Sequence, residues 1–121
     1  MPPAQLNVHR EDRGTRALTT FVGEIDLTTA SLARTVLDRC LHDGIRTVDV
    51  DLTAVTFCDV SGLNVFLTIS ELARSTGATL RLHRPPQSLK RVIEVTGAGF
   101  LLDSPRPDRT PSRETVPAAT P

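Results

Sequence analysis

The sequence predicts an α/β domain built as a mixed four- to five-stranded sheet with helices packed on it. Strand-like and helix-like apolar spacing alternates in the order strand, strand, helix, strand, helix, strand, helix. Glycine or proline punctuates the boundaries at Gly14, Gly44, Gly77, Pro85-Pro86 and Gly97. The chain has 121 residues and a hydrophobic content of 39%, which is room for one core. Aromatic content is only 3%, all of it Phe, so that core must be made of Leu, Val, Ile and Ala.

Gln5 to His9 alternates polar and apolar residues, and Arg16 to Ile25 carries Ala17, Leu18, Phe21, Val22 and Ile25 between threonines. Both read as strands, joined through the polar turn Arg10 to Thr15. Thr28 reads as the cap of a helix running to about His42, with Ala33, Val36, Leu37, Cys40 and Leu41 on its inner face and Gly44 as its stop. Thr47 to Leu52 reads as a buried strand, and Val55 to Cys58 as an apolar strand end. Ser61 then takes the N-cap role for a helix from Gly62 to Thr76, whose apolar face is Leu63, Phe66, Leu67, Ile69, Leu72 and Ala73. Thr79 to Leu82 is the next strand. Pro85-Pro86 opens a third helix bearing Leu89, Val92 and Ile93, and Phe100-Leu101-Leu102 is a last docking segment.

Residues 1–5 read as an N-terminal extension and 6–102 as the folded domain. From Asp103 to Pro121 prolines recur and Val116 is the one sizeable apolar side chain, so 103–121 reads as a disordered tail that cannot bury enough surface to offset its ordering entropy.

Lys plus Arg and Asp plus Glu are equal at 14 each, which leaves no net basic field for nucleic acid or an anionic membrane. No run approaches the length of a membrane span, and the N-terminus has no signal-like pattern, so a cytoplasmic location is expected. Cys40 and Cys58 are then expected as free thiols. They show no metal-ligand spacing, and no cofactor or metal is expected. His9, His42 and His83 are scattered and read as surface or edge residues. A hydrolase elbow would need glycine two residues before Ser61, where Asp59 stands, so no catalytic residue is assigned. Gly97-Ala98-Gly99 follows a helix and so marks a stop instead of a phosphate loop. Arg81, Arg84, Lys90 and Arg91 read as a solvated face.

A helical crossover between Arg16–Ile25 and the Thr47 strand makes the two parallel, so their carboxyl ends share one edge, where sites in such folds collect. That edge receives Glu24 and Asp26 from the first strand and Asp59 and Ser61 from the second. Asp26 and Asp59 each sit two residues before an expected cap. As plain solvated charges they complement helix dipoles, at about 0.3–1 kcal/mol each. Ser61 itself stands open to two readings, an ordinary helix cap or a residue that receives a phosphate stabilised by the helix N-terminus.

Three segments decide between them by resemblance. Gly23-Glu24-Ile25-Asp26, Val55-Thr56-Phe57-Cys58-Asp59-Val60-Ser61-Gly62-Leu63 and Glu94-Val95-Thr96-Gly97-Ala98-Gly99-Phe100 resemble, in order and spacing, the bacterial anti-sigma factor antagonists with a STAS domain. The resemblance covers about Leu6 to Leu102. It implies that Ser61 is phosphorylated by a partner that is both anti-sigma factor and GHKL-type serine kinase. It implies further that the unmodified chain binds this partner and releases a sigma factor, and that a PPM-type phosphatase resets it. It places Glu24, Asp26, Thr28, Asp59, Val60, Gly62 and Leu63 at the partner-binding edge. Many members carry Ser or Thr where this chain has Val60, which leaves Ser61 as the sole hydroxyl of its loop. Relatives of the same fold that are scaffolds or small-ligand sensors form the alternative.

Overall fold

The structure, a computed structural model, describes residues 5–102; the expected tail at 103–121 lies outside the described residues. Four strands form one sheet in the order β1 (Leu6–Arg13), β2 (Arg16–Ile25), β3 (Thr47–Cys58), β4 (Thr79–His83). β1 pairs antiparallel with β2, and β2, β3 and β4 run parallel. Leu102 adds a single parallel bridge to Leu82 on the far side of β4. The helices are α1 (Ala30–His42), α2 (Val60–Ser75) and α3 (Gln87–Thr96), followed by a 3-10 turn at Gly99–Leu101.

The expected order of elements holds. Where the boundaries differ, hydrogen bonding has overruled side-chain character. Arg10 to Arg13, expected in a turn, belong to β1: the ladder runs to Arg13 opposite Arg16, and only Gly14 and Thr15 make the hairpin turn, Gly14 at φ 61°. The charges are tolerated because β1 is an edge strand, and Arg10 holds Asp12 at 2.8 Å and Asp43 at 2.9 Å.

β3 is one strand of 12 residues instead of a strand and a separate strand end. Between the pairs Thr20–Asp51 and Val22–Ala54, and again between Gly23–Val55 and Glu24–Phe57, β3 gains a residue on β2. Its buried apolar side chains are therefore Val48, Val50, Leu52, Val55 and Cys58, spaced by two and then by three. Asp51 Oδ1 accepts from the backbone N–H (3.0 Å) and hydroxyl (2.6 Å) of Thr53 at the first irregularity.

One core cluster holds residues from all four strands and all three helices, among them Ala17, Phe21, Leu37, Val50, Leu63, Phe66, Ile69 and Leu89. Phe21 and Phe66 meet edge to face with centroids 6.3 Å apart. On the other face of the sheet Arg16, Leu18, Val22 and Glu24 are exposed, so the helices form a layer on one side only. The carboxyl ends of β2 and β3 reach the same edge, and Asp59 N–H donates to the Ile25 carbonyl at 3.2 Å to tie the two exits together.

Candidate functional site

The exit of β3 builds the site. Asp59 leaves the strand in extended conformation, and its Oδ1 accepts from the backbone N–H of Ser61 at 2.8 Å, so Asp59 is the N-cap of α2. Ser61 is the second residue of the helix. The expectation that Ser61 caps α2 is corrected: the carboxylate is the stronger acceptor and takes the Ser61 N–H, one of the orphan donors of the first turn, which leaves the serine hydroxyl free of that task. Among the described residues, Ser61 makes no side-chain hydrogen bond, and it is half-buried.

The exit of β2 repeats the device. Asp26 Oδ1 accepts from Thr28 N–H at 2.9 Å, from Thr28 Oγ1 at 2.7 Å and from Thr29 N–H at 3.2 Å. The threonine donors, Thr28 hydroxyl foremost, hold the Asp26 carboxyl below its ordinary range. α1 begins at Ala30 after Thr29, so the expected cap at Thr28 is also corrected. Thr28 is a donor to the aspartate, while Thr29 Oγ1 accepts from Asp26 N–H and donates to the Glu24 carbonyl, both at 2.9 Å. The twin spacing seen in the sequence is real, but the aspartates are the hydrogen-bond acceptors at both helix entrances.

Gly62 and Leu63 are buried at the start of α2. A Cβ on Gly62 would lie 2.3 Å from Cys58 Sγ and 2.9 Å from Ile25 Cγ2, so this glycine lets the first turn of α2 sit directly on the ends of β2 and β3. The surface of the edge is formed by Glu24, Asp26, Thr28, Asp59 and Val60, with Val60 55% exposed. Two exposed apolar residues that sequence reasoning did not assign stand on the same exits: Leu27, 82% exposed, and Phe57, paired in register with Glu24. Their signal was an apolar side chain in a loop or off the burial period of β3. Cys58 is fully buried and its thiol is pushed up to about 12 by desolvation, then by the charge of Asp59, so it is not a nucleophile at neutral pH.

A second constellation was missed by the sequence. Asp49, 6% exposed, accepts from Arg16 Nε at 3.0 Å and lies 2.8 Å from His83 Nε2, joining β2, β3 and β4 across the helix-free face. It lines a basin of about 430 Å³ with Glu11, Arg13, Leu18, Asp51 and Arg84, remote from Ser61 along the strands. His83 thus belongs to a polar cluster, while Arg84 is exposed, as expected of a solvated face, and lines the same basin. No helix among the described residues is long and apolar enough to cross a membrane.

The STAS domain family model matches residues 8–116. The chain is 30% identical over 100 residues to the anti-sigma-B factor antagonists of Listeria monocytogenes and Listeria innocua, covering 81% of this chain and 87% of each relative. Among solved structures, it superposes with a TM-score of 0.73 on an anti-sigma factor antagonist from Mycobacterium paratuberculosis at 22% identity, over 86% of this chain and 89% of the other. It superposes with a TM-score of 0.67 on the Bacillus cell fate determinant SpoIIAA in its phosphorylated form at 16% identity, over 84% and 94% of the two chains. With the sheet order, the two capped exits and these likenesses together, the chain belongs to the STAS domain family, within which it is similar to the anti-sigma factor antagonists.

Proposed function

We propose that this chain is a phosphorylatable partner switch. Unphosphorylated at Ser61, it binds an anti-sigma factor that is also a GHKL-type serine kinase, and so frees a sigma factor; phosphorylation of Ser61 breaks the complex, and a PPM-type phosphatase restores it. The observation that carries this reading is the Ser61 hydroxyl, free of intramolecular hydrogen bonds among the described residues and held at the first turn of α2 by a cap that uses only its backbone. The name of the Listeria relatives, anti-sigma-B factor antagonist, supports the partner class.

The chain acts as substrate; ATP and the base come from the kinase. Asp59 fixes the backbone of Ser61, while Leu27 and Val60 offer apolar contact area beside it. The phosphoryl group adds about −1.5 to −2 charges beside Asp59 and near Glu24 and Asp26. The α2 N-terminus stabilises that charge locally, so no refolding is needed, whereas a partner surface matched to the unmodified edge loses complementarity. A coupling of about 1–3 kcal/mol, roughly 5- to 150-fold in affinity, is the scale expected.

Ser61→Ala should keep kinase binding and take up no phosphate when mixed with kinase and radiolabelled ATP. Phosphate uptake by the variant at the wild-type rate overturns the assignment. Ser61→Asp should weaken binding about fivefold or more; unchanged binding points to the scaffold or ligand-sensor alternative.

A further inference from the structure

We infer that Ser88, on α3, is a positioning residue for the phosphate acceptor; the inference rests on the reading of Ser61 as that acceptor. β4 pairs with β3 only from Thr47 to Asp51, so β3 runs from Leu52 to Cys58 with no partner strand on that side. Successive residues of a strand direct their N–H groups to opposite sides. Asp59 N–H turns toward β2 and donates to the Ile25 carbonyl. Cys58 N–H therefore turns away from β2, beyond the end of β4, where a buried donor needs an acceptor. Ser88 Oγ accepts it at 3.2 Å.

Ser88 is well placed for this. It is the second residue of α3, and the next residue, Leu89, is fully buried while Ile93 one turn on is nearly so, which anchors the helix to the core. The hydroxyl is thus carried on a fixed platform. Cys58 immediately precedes Asp59, whose carboxylate in turn holds Ser61 N–H. The chain of contacts runs from α3 through the last strand residue to the cap and the serine. On the β2 side the loop is held by Ile25, and on the opposite side by Ser88. Removing the second restraint leaves a buried N–H without a partner and lets the exit of β3 shift, and a small misplacement of a reacting group is costly to transfer rate.

The test is phosphate transfer by the GHKL-type kinase recovered with this chain, measured over chain concentrations from below KM to saturation, on Ser88→Ala, Ser88→Thr and a control, Thr19→Val. The control removes the buried hydrogen bond from Thr19 Oγ1 to the Asp49 carbonyl, away from the loop. Ser88→Ala should lower kcat for transfer to Ser61 by about tenfold with KM changed less than about twofold. Ser88→Thr, which keeps the hydroxyl, should restore kcat, and Thr19→Val should lose thermal stability without losing kcat. Amide hydrogen exchange at Cys58 and Ser61 should accelerate in Ser88→Ala. A wild-type chain that takes no phosphate at Ser61 overturns the parent reading and the inference together. A wild-type chain that is phosphorylated, alongside a Ser88→Ala variant with unchanged kcat, or a Thr19→Val variant that loses kcat equally, overturns the inference alone.

Discussion

Gly62 illustrates how far a residue's neighbours determine its meaning. By resemblance it is a residue of the partner-binding edge, next to Ser61. The structure gives it a different reason, because the absent Cβ points at Cys58 Sγ and Ile25 and the residue is buried. Gly62→Ala should therefore destabilise the fold by about 1–3 kcal/mol through overpacking. Introducing Cys58→Ala in the same chain should recover part of that loss, since it removes the nearer obstacle and leaves Ile25 in place. Denaturant unfolding of the two single variants and the double variant measures the coupling, and strictly additive losses would contradict the contact.

Helix entrances are where the elements of this protein are decided. Each crossover must turn a strand into a helix within a few residues; Asp59 accepts the Ser61 N–H in the first turn of α2, and Asp26 accepts the Thr28 and Thr29 N–H groups in the turn that leads into α1. Asp26 is held below the ordinary carboxylate value of 3.8, chiefly by the Thr28 hydroxyl. Because the folded-state value is depressed, the ionised group contributes stability above the unfolded-state value and loses it as pH falls through and below that value. Asp26→Asn keeps an acceptor oxygen and removes the titration. The stability difference between wild type and Asp26→Asn, followed by urea unfolding, should favour wild type near neutral pH and shrink toward pH 3 and below. Asp12 and Asp51 are depressed as well, by Arg10 and Thr53 respectively, but they are common to both proteins and cancel in the difference. A difference independent of pH would show that Asp26 titrates alike in the folded and unfolded chain.

Across the whole molecule, two sites sit apart on one sheet. The helix layer and the carboxyl edge present Ser61, while the helix-free face carries Asp49 with Arg16 and His83. The second cluster acts as a clasp over three strands. Asp49→Ala should cost about 1–3 kcal/mol in unfolding experiments, with Arg16, whose side chain is largely exposed, recovering water and His83 losing its contact with Asp49. Under the proposed switch, it should leave the rate of phosphate uptake at Ser61 as in wild type. A variant that keeps its stability but loses phosphate uptake would show that the two faces communicate.

By itself the sequence determined the order of elements, the parallel pairing of the later strands, a single core and the meeting of Asp26, Asp59 and Ser61 on one edge, but not that Phe21 and Phe66 would join the aliphatic side chains at the centre of that core. Those features follow from local spacing and from chain connectivity, which any segment carries within itself. The tertiary structure decided what depends on distant partners. β1 extends through charged residues because β2 offers it a ladder, and β3 runs on to Cys58 through two irregularities that spoil the alternation expected of a strand. It decided that Asp59 and not Ser61 caps α2, and that α1 starts behind Thr29 with Asp26 holding the Thr28 and Thr29 N–H groups just ahead of the helix, since acceptors a few residues apart compete for the same N–H groups and only the folded backbone selects one. It also brought Ser88 to Cys58 and His83 to Asp49, contacts between residues 30 and 34 positions apart that no local pattern encodes.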